Sequence, residues 1–271
     1  MHGAGNDYAY FDCFHTTIPN PAETAKKLSQ RRFSVGSDGI ILILKSKVAD
    51  AKMRIFNADG SEGKMCGNGI RCVAKYLYDS GKVKRREMTV ETLSGVKRLW
   101  AYTGEDGKVH SVRADMGKAE FSPKKIPVRL SGEKIVGYPA CIGGTNYEIT
   151  CVSMGNPHCV VFQEAKEPFE AIGRAFEKSS LFPEGVNTEF VTICGKNALK
   201  ARIWERGSGE TFACGTGACA SVAAATENGF MQEGKDVSVK LKGGTLIVNY
   251  TRERVFMTGE AVTAYIGMAE I

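Results

Sequence analysis

Several things are scarce or missing in this chain of 271 residues. Its longest apolar run, Ile40 to Leu44, is far short of the roughly 20 residues that span a bilayer as a helix, so no membrane partner is expected. No N-terminal apolar region with a cleavage site is present, and export is not expected. The cysteines number nine, an odd count, and none stands in a metal-type Cys-x-x-Cys pair. They read as reduced thiols in a cytoplasmic protein without a bound metal. No Gly-x-Gly-x-x-Gly or Gly-Lys-Ser/Thr loop marks a nucleotide site. The net charge of +6 is a local excess, with Lys82, Lys84, Arg85 and Arg86 in one loop and Lys124 and Lys125 in another. No aromatic platform interleaves with these charges, so they read as solvated surface and not as a nucleic-acid groove. Hydrophobic content of 43% and charged content of 24% are ordinary globular values.

What is present is a stretch written twice. Arg54-Ile55-Phe56-Asn57 leads to Glu62, to Cys66-Gly67-Asn68-Gly69, and to a helical pattern that stops at Gly81. At an offset of 148, Arg202-Ile203-Trp204-Glu205 leads to Glu210, to Cys214-Gly215-Thr216-Gly217, and to a helical pattern that stops at Gly229. A period this long, present twice, is no solenoid; it indicates two similar halves, each presenting one cysteine at the start of one helix. The first helix carries Ile70, Val73, Ala74 and Leu77, the spacing of one buried stripe. The second is rich in alanine on every side, which fits a helix enclosed by a curved sheet.

The chemistry follows from the position. The first N–H groups of a helix lack intrahelical partners and carry partial positive charge. Glycines let an anion approach them, so the turns Gly67-Asn68-Gly69 and Gly215-Thr216-Gly217 are expected carboxylate or phosphate sites. The same field is expected to lower the pKa of a cysteine placed there. Two such cysteines on opposite flanks of one carbon can invert it: one thiolate removes the α-proton and the other thiol returns a proton to the opposite face. The helix ends would stabilise the enolate-like charge, and no cofactor is required. The remaining cysteines, Cys13, Cys72, Cys141, Cys151, Cys159, Cys194 and Cys219, read as small buried apolar residues.

Along the chain, a helix is expected from Pro21 to about Phe33, capped by Asn20. Strands are expected at Tyr8 to Phe14, Ile40 to Leu44, Lys52 to Phe56, Met88 to Leu93, Val96 to Tyr102 and Val109 to Ala114. The second half is expected to give strands at Ile135 to Tyr138, Tyr147 to Val152, Cys159 to Phe162, Glu189 to Ile193, Ala198 to Trp204, Val237 to Leu241, Thr245 to Tyr250, Arg254 to Thr258 and Ala261 to Ile266. A helix is expected from Pro168 to Ser179. The lysine- and proline-bearing stretch near residues 117–127 is the expected domain boundary. Asn6, Asn57, Asn156 and Asn187 each stand in a loop at a strand end, and Ala4-Gly5-Asn6 is echoed by Met154-Gly155-Asn156. Amides suit the distal amino-acid end of a substrate with two such ends. Arg206 suits a distal carboxylate, and Glu205 an ammonium or the protonation of a cysteine.

These segments resemble the diaminopimelate epimerase family. The resemblance rests on Met65 to Cys72 and Ala213 to Cys219, with His2 to Asp7, Phe56 to Ser61, Met154 to His158 and Glu205 to Gly207, and covers essentially the whole chain. It implies an α/β fold of the α+β type, with two pseudo-symmetric domains, each a mixed, mostly antiparallel sheet or barrel wrapped around a central helix. The first domain is expected at 1–117, completed by about 259–271, and the second at 118–258. The implied activity is cofactor-independent conversion of LL-2,6-diaminopimelate to the meso form in lysine and cell-wall precursor synthesis, in a cleft that closes on substrate, by a cytoplasmic homodimer. Cys66 and Cys214 would be catalytic. Asn6, Asn57, Gly67, Asn68, Asn156, Asn187, Glu205, Arg206, Gly215 and Thr216 would bind substrate, and His158 with Glu205 would tune the cysteines. The nearest alternative is a proline or hydroxyproline racemase of the same architecture. Those relatives usually carry histidine where this chain has Asn68, and here Glu205-Arg206 stands ready for a second charged end. A thiol redox or metal-binding protein is the alternative from a different class.

Overall fold

The computed structural model describes residues 1–271. The chain divides into two compact units, Met1–Asp115 with Thr258–Ile271, and Met116–Met257, and the strand Val255–Glu260 carries the chain from the second back to the first.

In the first unit, Ala9–Cys13, Gly39–Leu44, Ala51–Asn57, Glu87–Thr92, Gly95–Thr103 and Val109–Gly117 lie side by side in that order. The pairings run parallel, antiparallel, parallel, antiparallel and antiparallel. In the second unit, Pro157–Val161, Asn187–Gly195, Ala198–Glu205, Asp236–Leu241 and Gly244–Tyr250 repeat the order and the parallel, antiparallel, parallel, antiparallel alternation. Thr145–Ser153 and Tyr138–Ile142 add two antiparallel strands at its outer edge. The duplicated sequence is therefore a duplicated topology, and the α/β fold with two similar mixed strand arrangements, here parts of one large mixed sheet, is the fold expected.

Four α-helices serve these sheets: α1 (Pro21–Leu28), α2 (Gly67–Asp79), α3 (Phe169–Glu177) and α4 (Gly215–Glu227). Helices α2 and α4 start and end 148 residues apart, at Gly67 and Gly215 and at Asp79 and Glu227. Ile70, Val73, Ala74 and Leu77 of α2 are buried. Helix α4 lies against Thr145–Ser153, Pro157–Val161, Asn187–Gly195, Ala198–Glu205, Asp236–Leu241 and Gly244–Tyr250. With strands on so many sides, larger side chains have no room, and Ala218, Ala220, Ala223, Ala224 and Ala225 are all buried. Phe169 and Phe176 of α3 pack on Phe190 and Trp204 of the second unit's strands. Their rings meet edge to face, with centroids 5.6 to 6.4 Å apart.

Several local expectations are corrected. Helix α1 stops at Leu28 instead of near Phe33. Its apolar stripe runs out, the Ser29 N–H closes on the Ala25 carbonyl, and Arg32 turns to a left-handed φ of 74°, leaving Phe33 in solvent. Asn20 caps through its backbone carbonyl, which accepts from the Thr24 amide, and its side chain makes no cap bond. The strand placed at Ile135 begins at Tyr138, because Gly137 breaks the extended chain with a φ of 57°. Ala261 to Ile266 is not a strand; Val262 alone bridges His2, and beyond it no neighbouring strand is available. Cys141 and Cys194 are exposed, not buried.

Candidate active site

Each repeated cysteine is the N-cap of its helix. Cys66 has φ −132° and ψ 119°, Cys214 has φ −112° and ψ 112°, and each carbonyl accepts the first intrahelical bond, from Ile70 and Ala218. Each sulfur accepts a hydrogen bond from the backbone N–H three residues on, Gly69 at 3.3 Å and Gly217 at 3.4 Å. Thiols thus occupy the place where serine or aspartate usually caps a helix. Little room is left at the glycines: a Cβ on Gly69 would lie 2.6 Å from Ile41 Cδ1, and one on Gly217 2.8 Å from both Glu189 Oε1 and Ile203 Cδ1, so those side-chain ends would have to shift. Glu62 and Glu210 brace the preceding loops through Arg54 and Arg202, at 2.7 and 2.9 Å.

In the first unit the Cys66 thiol donates to Asn6 Oδ1 at 3.3 Å. Asn6 in turn donates to Asp38 Oδ2 at 2.7 Å, and Arg31 binds both Asp38 and Asp7. Asp38 and Arg31 are thus the supports of Asn6, and sequence reasoning passed over both. Asn57 donates to Ser61 within its own turn, at 3.0 Å. Gly67 and Asn68 are buried in the first turn of α2.

In the second unit Thr216 Oγ1 lies 3.4 Å from the Cys214 sulfur and accepts from Asn156 Nδ2 at 3.3 Å. Asn156 Oδ1 faces His158 Nε2 at 3.0 Å, and His158 Nδ1 meets Glu189 Oε1 at 2.7 Å. His158 and Glu189 are both fully buried. The echoed asparagines are therefore wired to the repeated cysteines, Asn6 directly and Asn156 through Thr216. The amide of Asn187 donates to the Pro157 carbonyl and accepts from the Arg206 backbone N–H, both at 2.9 Å. The Arg206 side chain is exposed, with Nη1 on the Glu184 carbonyl at 2.7 Å. Glu205 accepts from Thr211 at 2.5 Å. Gly215 is buried beside Cys214 in the first turn of α4.

The electrostatics of Cys214 depart from the expectation drawn from its helix. Burial pushes its thiol well up, the nearby carboxyl groups of Glu205 and Glu189 add to this, and the bonds from Thr216 and Gly217 pull the other way without prevailing. In this conformation Cys214 is a thiol at neutral pH. Glu189, the strongest of the missed residues, is held above the ordinary carboxylate range by burial, with His158 pulling it back. The one sequence signal for it is a charged residue placed just before the apolar pair Phe190-Val191 of a strand. No cysteine is in a disulfide, and no group of three or more His, Cys, Asp and Glu side chains is arranged to hold a metal ion.

The family model described as diaminopimelate epimerase matches residues 1–122 and 150–264. A diaminopimelate epimerase of Acetivibrio thermocellus is 48% identical over 275 residues, covering 100% of this chain and 97% of that relative. One of Desulfovibrio desulfuricans is 47% identical over 277 residues, covering 98% of this chain and 96% of that relative. Among solved structures, a probable proline racemase of Agrobacterium radiobacter superposes with a TM-score of 0.68 at 17% identity, over 100% of this chain and 91% of that one. At that identity the likeness concerns the fold alone.

Proposed function

The chain belongs to the diaminopimelate epimerase family, and from that premise we propose that it interconverts LL- and meso-diaminopimelate by two-base inversion. In this scheme one of Cys66 and Cys214 removes the α-proton as a thiolate and the other returns a proton as a thiol. The observation that carries this reading is the matched pair of caps, a sulfur on the third backbone N–H of a Gly-x-Gly turn, once in each unit. A carboxylate at either turn, Gly67-Asn68 or Gly215-Thr216, would be bound by its backbone N–H groups, and the charge that grows on it during proton removal would be stabilised there. The raised pKa of the buried Cys214 thiol suits it to the acid half of the cycle when substrate enters. The reaction needs only proton transfer, and the residues supply it without a cofactor.

Asn6, Asn57, Asn156, Asn187, Glu205 and Arg206 are proposed to hold the substrate, with Arg206 on the distal carboxylate and Glu205 on an ammonium. Arg206 is exposed and tethered by one carbonyl only, which leaves its guanidinium donors for a carboxylate. The two compact units are proposed as the two domains. No helix is long and apolar enough to cross a membrane; a cytoplasmic homodimer, acting without membrane or nucleic acid, is the setting proposed, and sedimentation of the purified protein tests the dimer. The deciding experiment follows solvent deuterium into the α-position with each diastereomer. Incorporation accompanying inversion supports the reading; turnover of proline without turnover of diaminopimelate would overturn it.

A further inference from the structure

The two units agree closely at their helix starts but differ beneath them. Position 41 in the first corresponds at the 148-residue offset to position 189 in the second, and each lies where the Cβ of the cap glycine would fall, at 2.6 Å from Ile41 Cδ1 and at 2.8 Å from Glu189 Oε1. One is apolar and the other is a carboxylate. A fully buried carboxylate is costly, yet the Glu189 side chain has one hydrogen-bond partner, His158, and its Oε2 has none.

From that pair the bonds run in one direction. An amide oxygen only accepts, so His158 Nε2 carries a hydrogen and donates to Asn156 Oδ1. Asn156 Nδ2 donates to Thr216 Oγ1. The Thr216 hydroxyl, with Asn156 as a donor to its oxygen, keeps its own hydrogen for the Cys214 sulfur 3.4 Å away, the direction a thiolate requires. We propose that Glu189 is a positioning residue: it shares one hydrogen with His158 Nδ1, so that the pair is neutral overall and Nε2 keeps a hydrogen of its own, and through Asn156 and Thr216 this keeps a hydroxyl hydrogen aimed at the Cys214 sulfur. Without the carboxyl group the imidazole is free to carry its hydrogen on Nδ1. Nε2 then accepts from a turned Asn156, and Thr216 donates to Asn156 instead of to sulfur. Around Cys214 the charged and titratable groups are Glu205 and Glu189, with Thr216 as the hydroxyl; around Glu189 they are His158, Glu205, Cys214 and Cys159. Cys66 instead bonds directly to its asparagine, Asn6.

The inference rests on Cys214 being one of the two proton-transferring thiols, but its test reads the thiol without substrate. Iodoacetamide alkylation at neutral pH is followed peptide by peptide in wild type, Glu189→Leu and Glu189→Gln. In Glu189→Gln the introduced amide can donate a hydrogen to His158 Nδ1 and keep the ring hydrogen on Nε2, so Cys214 should react within about twofold of wild type. In Glu189→Leu the thiolate loses a donor, and Cys214 should react about tenfold more slowly, with Cys66 unchanged. Glu189→Met replaces the leucine variant if that one shows no cooperative melting. Adding Glu189→Leu to Thr216→Val should slow Cys214 no further. Nitrogen NMR of the four histidines should show His158 protonated at Nε2 in wild type and in Glu189→Gln. The idea is overturned if Cys214 in Glu189→Leu reacts as in wild type, if the glutamine variant is as slow as the leucine variant, or if wild-type His158 lacks the Nε2 hydrogen. Failure to epimerise diaminopimelate would instead strike the proposed function and leave these thiol rates as measured.

Discussion

Gly173→Ala isolates a conflict between local preference and packing. Gly173 lies inside α3 and is buried. Helix propensity alone favours alanine there by about 0.8–1.0 kcal/mol. A Cβ at this position, however, would sit 2.2, 2.4 and 2.5 Å from Cδ2, Cγ and Cε3 of Trp204. Carbon atoms in good contact lie roughly 3.5–4.0 Å apart, so the indole or the helix must move by more than an ångström. The indole is held by its Nε1 bond to Glu177 at 2.7 Å, by the edge of Phe169, and by Arg174 over its face. Overpacking in a tight core costs about 1–3 kcal/mol, and three overlaps with a rigid ring place this case at the upper end. After the propensity gain, about 2 kcal/mol of net destabilisation remains. At about 2–4 °C per kcal/mol for a chain of this size class, the melting temperature should fall by about 4–8 °C. Differential scanning calorimetry measures it directly. In a Trp204→Phe background the same substitution should cost less, since the two residues couple through contact. Trp204 immediately precedes Glu205, so a displaced indole should also weaken substrate turnover. A Gly173→Ala protein that melts at or above the wild-type temperature would refute the packing argument.

Three further outcomes are expected. Cys66→Ala and Cys214→Ala should each leave the circular dichroism spectrum intact and abolish full inversion, and normal turnover in either variant would remove the two-base scheme. Arg54 holds Glu62 below the ordinary carboxylate range, against a smaller opposing effect of burial. A depressed folded pKa contributes stability above the unfolded value, about 4.3, and that contribution disappears as pH falls through the folded value. Urea melts should therefore show Glu62→Gln costing no more than about 1 kcal/mol at neutral pH and nothing in strong acid, because the pair is partly exposed. Arg71 is fully buried and donates to the carbonyls of Gly67 and Glu260, at 3.0 and 3.2 Å. Arg71→Leu should cost about 2–3 kcal/mol by removing both charge-assisted bonds, with the loss visible in thermal melts.

Much of the site was legible because its signals are local. A cap, a first turn and a closing glycine depend on residues within one helix, so Cys66 and Cys214 could be placed from spacing alone. The echoed Gly-Asn segments were legible for the same reason, as was the Arg54 and Glu62 motif with its copy at Arg202 and Glu210. Less legible were the elements whose fate depends on a partner strand. Ala261 to Ile266 alternates well enough for a strand, but only Val262 finds a bridge. Ile135 is buried and its carbonyl accepts from Cys151, yet Gly137 keeps it out of the strand that follows.

The sequence by itself determined the duplication, the two thiol caps and the asparagines set around them, because short-range stereochemistry and a repeated pattern are enough to specify these. Tertiary structure alone decided what each cap rests on. Parallel pairing of Pro157–Val161 with Asn187–Gly195 brings Glu189 against His158 across 31 residues of chain, and buries Cys214 where desolvation outweighs its helix. Burial and the identity of a distant neighbour are properties of the folded chain, and they set the charge of a group as surely as its own chemistry does.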